Sequence, residues 1–95
     1  MVIHGLTTGV SNILTSGIQS VTIRASHLMV NVTGRFVINC TVIGGPPDLQ
    51  ITWSKGGNII GLSHRTKVET NRGYSRLTVR DAMASDEGVY VCQAG

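Results

Sequence analysis

Few side chains in this chain are equipped for chemistry. Cys40 and Cys92 are its two thiols. Two thiols can serve as a redox or nucleophilic pair, or close a single structural bridge. The Cys-x-x-Cys spacing of thioredoxin-type and common zinc sites is absent. His4, His27 and His64 lack ligand spacing, so no metal site is expected. Asp48, Glu69, Asp81, Asp86 and Glu87 form no evident acid–base pair. There is no Gly-x-Ser-x-Gly, no P-loop and no dinucleotide fingerprint. Serines and threonines abound, but no base is assigned to activate one. The residues therefore predict a protein that is not an enzyme and carries no cofactor.

Binding chemistry is better represented. Asn31-Val32-Thr33 and Asn39-Cys40-Thr41 are N-glycosylation sequons, with Asn31 and Asn39 as acceptors. Arg65, Lys67, Arg72, Arg76 and Arg80 gather in one segment, a basic patch that suits a sulfated glycan or an acidic protein. A solvated face is the plainer reading of the same residues. The net charge of +3 and an aromatic share of 4% fall short of a nucleic-acid footprint. No apolar run approaches the roughly 18–20 residues of a membrane span, so direct insertion is not expected.

The elements that must position these groups are short and extended. Ninety-five residues make one domain's worth of chain. Residues 1–20, rich in Gly, Ser and Thr, are expected to be a linker or the tail of a preceding module. Leu6-Thr7-Thr8-Gly9-Val10 is echoed there by Leu14-Thr15-Ser16-Gly17-Ile18. From Val21 the pattern has period two. Strand pieces are predicted over Val21–Ala25 and Leu28–Val32, then over Arg35–Val42 with Phe36, Ile38, Cys40 and Val42 on one face. Gly44 to Asp48, with Pro46-Pro47, must be a loop. Leu49, Ile51 and Trp53 point one way in the next strand, and Lys55-Gly56-Gly57-Asn58 turns it back. A short return strand over Asn58–Leu62 and a weak strand over Thr66–Glu69 follow. Asn71-Arg72-Gly73 leads into Tyr74–Arg80, with Leu77 and Val79 inward. After a corner at Ala82–Glu87, Gly88–Gln93 is the last strand, with Tyr90 and Cys92 inward and Val89 and Val91 outward. Many short strands with regular turns and no helical period argue for a β-sandwich or a barrel.

Taken together, these residues resemble the immunoglobulin superfamily, most closely its I-set. Cys40, Trp53, and Leu77-Thr78-Val79 followed by Asp86-Glu87-Gly88-Val89-Tyr90-Val91-Cys92 carry the match, which covers about residues 21–95. The resemblance implies an all-β, two-sheet antiparallel Greek-key sandwich. It implies that Cys40 and Cys92 form a disulfide between the sheets and that Trp53 packs against it. Tyr90 becomes the tyrosine-corner residue, braced by Asp86 against Arg65, and Leu77 part of the core. Two departures stand out. Ala82 occupies a position usually held by a larger aliphatic, so Met83 is expected to fill that part of the core. Gln93-Ala94-Gly95 ends the chain where a final strand should follow. That is read as truncation, leaving the last strand an exposed edge.

On this fold one outward sheet face, around Thr52, Val89 and Val91, carries no charge and is the candidate for a protein contact. The resemblance implies a non-catalytic binding or adhesion module of a cell-surface receptor or secreted protein, including receptor tyrosine kinase ectodomains. Its partner would be another protein, and its location extracellular or at the cell surface. The alternative is a structural spacer in a long, possibly intracellular, immunoglobulin-domain array.

Overall fold

The alternation of apolar and polar residues folds into two sheets. The computed structural model describes the backbone of residues 3–10, together with residues 18–26, 29–45, 49–61 and 63–94. His27, Leu28, Pro46, Pro47, Asp48 and Leu62 lie outside the described residues, as does the side chain of His4. Eight strands follow in chain order: β1 (Ile3–Val10), β2 (Ile18–Ala25), β3 (Phe36–Gly44), β4 (Ile51–Lys55), β5 (Asn58–Ile59), β6 (Thr66–Asn71), β7 (Tyr74–Val79) and β8 (Gly88–Ala94). One sheet has the order β2-β3-β7-β6 and the other β1-β8-β4-β5. The connections β3–β4, β5–β6 and β7–β8 each cross between the sheets, which makes the architecture a β-sandwich.

The core lies where the inward phases of the strands meet. Phe36, Ile38, Cys40, Val42, Leu77 and Val79 from one sheet face Trp53, Tyr90, Cys92 and Ala94 from the other, all buried. Cys40 and Cys92 are joined, with Cα atoms 6.4 Å apart. Phe36 meets the Tyr90 ring edge-on, centroids 5.8 Å apart, an arrangement favoured by the ring quadrupoles. The β4–β5 hairpin turns on Gly56 and Gly57, at φ 60° and 85°, where a side chain would be strained. A single 3-10 turn, Ala84–Asp86, forms the corner before β8.

Three expectations are corrected. The last strand is not an edge: β8 lies between β4 and β1, which runs parallel to it from Gly5↔Val89 to Val10↔Ala94. Residues 1–20, expected to be a linker or the tail of a preceding module, supply all of β1 and the start of β2. Second, the strand predicted over Leu28–Val32 is absent among its described residues apart from a bridge at Met29. Asn31–Gly34 is instead a turn, closed by Gly34 N–H donating to the Asn31 carbonyl at 2.9 Å, with Thr33 at φ 70°. Val30 is buried, while Val32 is exposed. Third, Met83 does not fill the core. It is 49% exposed, and the buried side chain is Ala82. Ala82 is held by two backbone hydrogen bonds, Ala82 N–H to Gly34 O and Thr33 N–H to Ala82 O, which join the corner to the turn and leave Ala82 as the residue that points inward.

Candidate functional site

Three regions carry the residues singled out by the sequence: a corner that fixes the frame, and the two outward sheet faces. The corner is built on Asp86. Its Oδ2 accepts from Met83 N–H at 2.8 Å, capping the 3-10 turn. Its two oxygens also accept from the Arg65 guanidinium, at 2.9 and 3.3 Å. Burial alone would push the Asp86 carboxyl up, but the Arg65 fork and the Met83 N–H outweigh it and hold it below the usual range. Arg65 also donates to the carbonyls of Asp81 (3.0 Å) and Arg80 (3.4 Å), tying the entry of β6 to the exit of β7. The Tyr90 hydroxyl donates to the Asp86 carbonyl at 2.5 Å. Burial, reinforced by the Asp86 charge, raises the Tyr90 hydroxyl far above its ordinary value, so it stays a donor. The Lys55 ammonium lies 5.8 Å from the Tyr90 ring centre and donates to the Ser85 carbonyl.

The core holds one polar pair that the sequence reading missed. Trp53 Nε1–H donates to Ser75 Oγ at 2.8 Å, and Ser75 is fully buried. Thr70 Oγ1 lies 3.0 Å from the same oxygen. The signal was present: Ser75 shares the inward phase of Leu77 and Val79, and a polar residue there requires a partner.

The outward face of β4 and β8 presents Thr52, Ser54, Val89, Val91 and Gln93, none charged. The register sets Thr52 beside Gln93 and Ser54 beside Val91, and β1 places Gly5 beside Val89 and Thr7 beside Val91. Val89 is 43% exposed and Ile59, at the end of the hairpin, 76%. Thr52, Val89 and Val91 therefore share one surface.

The opposite sheet carries the basic residues, in a different grouping from the expected one. Arg76 sits mid-face, its Nε 3.3 Å from Asn39 Oδ1 and 3.0 Å from the Tyr74 hydroxyl. That hydroxyl donates to Asn39 Oδ1 at 2.7 Å, so Asn39 is held in a side-chain cluster on the strand. Asn31 lies exposed in its turn, not on a strand face. Arg72 stands at the β6–β7 turn. Arg65, Lys67 and Arg80 lie at the other end, where Arg35 joins them around a groove of about 470 Å³. Arg35 was missed because it falls just outside the 65–80 segment in sequence. Its outward phase with Val37 and Asn39 was the available clue.

The two packed sheets, the inter-sheet bridge beside Trp53 and the tyrosine corner define an immunoglobulin-type sandwich. The chain belongs to the immunoglobulin I-set domains, whose family model matches residues 19–95. β1 precedes the matched region. The chain is 38% identical over 60 residues to the muscle M-line assembly protein unc-89 of Caenorhabditis elegans, covering 62% of this chain and 1% of that protein. It is 41% identical over 59 residues to smooth-muscle myosin light chain kinase of Gallus gallus, covering 62% of this chain and 3% of that protein. Among solved structures, a complex of titin M10 with an obscurin-like 1 immunoglobulin domain superposes with a TM-score of 0.60 and 26% identity, over 95% of this chain and 70% of that one. The I-set match is to a non-catalytic fold.

These relatives correct the expected location. The M-line and myosin, which their names carry, belong to the interior of the muscle cell and point to the cytoplasm instead of an extracellular or cell-surface site. The comparisons give no support to a sulfated glycan as ligand.

Proposed function

We propose that this domain is one folded unit of a long intracellular immunoglobulin-domain array of the muscle type, acting as a spacer that also offers a sheet face to a protein partner. The observation that carries the contact is the uncharged outward face of β4 and β8, with Val89 and Ile59 exposed beside Thr52 and Val91. Interfaces deplete charge at their centre, and exposed aliphatics on one uncharged face favour association over solvation. The relatives support the array, since this chain matches only a small share of each. The solved neighbour supports a protein partner, because its structure is a complex between two proteins.

The test is localisation in cultured striated muscle cells. A tagged copy of the domain is expected to assume a periodic, striated distribution. The variant Val89→Ser with Val91→Ser should fold with an unchanged unfolding midpoint but spread diffusely. A diffuse wild-type domain, or striations equally sharp in the variant, would remove the face from the proposal. Secretion of the domain would remove the intracellular array.

A further inference from the structure

A second surface lies on the other sheet, away from the uncharged face. The register fixes it. Phe36, Val79 and Thr66 are cross-strand neighbours on β3, β7 and β6. One residue outward, Arg35, Arg80 and Arg65 continue the same line, and Arg80 N–H donates to the Arg65 carbonyl at 2.9 Å. Neighbouring strands are about 4.8 Å apart, so the backbone positions of these three arginines span roughly 10 Å. The next outward row is Val37, Thr78 and Lys67. Of these residues Arg35, Arg65, Arg80, Lys67 and Thr78, together with His64, line the groove of about 470 Å³.

The cations of the groove differ in how they are engaged. Arg65 is turned toward Asp86. Arg80 gives its Nε–H to the His64 carbonyl at 2.7 Å and lines the groove. Among the described residues neither Arg35 nor Arg80 has a carboxylate partner, and Lys67 has only Glu69, at 3.8 Å between exposed ends. Arg35, Lys67 and Arg80 are all exposed. Like charges crowded on one rim repel one another, and an anion of matching spacing would relieve that repulsion.

We propose that this groove is a binding site for an extended acidic segment, rich in Asp and Glu, of a protein partner. The cations are spread over three strands, which suits several spaced carboxylates better than one phosphate group. Alternate residues of an extended chain lie roughly 7 Å apart, a spacing that the long, exposed side chains of Arg35, Arg80 and Lys67 can follow. Among the described residues the groove lining holds no Phe, Tyr or Trp, and His64 is its one ring, a poor platform for stacking successive bases of single-stranded nucleic acid.

Fluorescence anisotropy with a labelled peptide of alternating Glu and Thr, about eight residues long, tests the site. Saturable binding is expected at about 30 mM salt, weakened about tenfold or more at about 300 mM. Arg35→Glu with Lys67→Glu should abolish it. Arg24→Glu with Arg72→Glu makes the same change in net charge outside the groove and should leave affinity within about threefold. The single variant Arg35→Gln, on an exposed residue, should weaken binding and keeps the readout independent of folding. Absence of saturable binding at low salt overturns the proposal. Equal loss in both double variants overturns it too, as bulk charge alone would then suffice. So does binding of a sulfated oligosaccharide to the groove without binding of the peptide.

Discussion

The Arg65 guanidinium closes on the Asp86 carboxylate at 2.9 Å, across twenty-one residues of chain. Through that contact the start of β6 is tied to the turn that launches β8. Asp86 is also the cap of its own turn and, through its carbonyl, the acceptor of the Tyr90 hydroxyl. Replacing Asp86 by Ala removes the cap and the fork together, and should lower the unfolding free energy by about 2–3 kcal/mol. Urea denaturation followed by Trp53 fluorescence measures it.

The same carboxylate gives the domain an acid-side pH dependence. The folded value of Asp86 is lowered, so its contribution is complete above the ordinary carboxyl value of 3.8 and is lost as pH falls through the lowered value. The difference in denaturation midpoint between wild type and Asp86→Asn should be constant from neutral pH down to about pH 5 and shrink below about pH 4. A difference that stays constant into strong acid would contradict a charged Asp86 in the fold.

Ser75→Ala should cost about 1–3 kcal/mol, because it leaves the Trp53 N–H buried without an acceptor. In a double-mutant cycle with Trp53→Phe, part of that cost should vanish, since the phenyl ring has no N–H to satisfy. Additive losses would mean that the indole N–H finds another acceptor.

The Cys40–Cys92 bridge spans a sequence separation of 52, and in the chain-entropy picture closing such a loop stabilises by about 4 kcal/mol. In the proposed cytoplasmic setting thiols are kept reduced, so the domain would have to hold its fold without the bridge. Reduction of the purified domain should therefore lower its unfolding free energy by about that amount. Near-ultraviolet dichroism at low denaturant should show that Trp53 remains packed.

Gly73→Ala should destabilise by about 1–2 kcal/mol, the cost of a side chain in the left-handed region. Gly73 sits at φ 73°, and an added Cβ would meet the Val42 carbonyl oxygen at 2.8 Å. That carbonyl belongs to the residue whose own N–H donates to Gly73 O, so the clash falls on a paired segment of β3. Thermal denaturation compared with Gly56→Ala, where a Cβ meets nothing within 4 Å, separates the contact from the backbone strain.

Most of the sandwich is legible in the local pattern of residues. Alternation in Phe36–Val42 and Leu77–Val79 fixes which side chains point inward, because a strand turns successive residues to opposite faces. The run Asp86–Cys92 marks the corner, because glycine, an acidic cap and a tyrosine each have a local geometric task there. Contacts between distant segments set what local pattern cannot encode. The partner of β8 is β1, a pairing of residues more than eighty positions apart that depends on which edge lies open once the sheets have packed. Arg35 reaches the groove only through the β3–β7–β6 register, while Arg72 and Arg76, nearer to Arg65 in sequence, are carried away along the strands. Ser75 has a partner only because the facing sheet brings the Trp53 indole to it. Period and turn chemistry are properties of neighbours in the chain. Register, edge and face are properties of neighbours in space, and the packing of the two sheets chooses them.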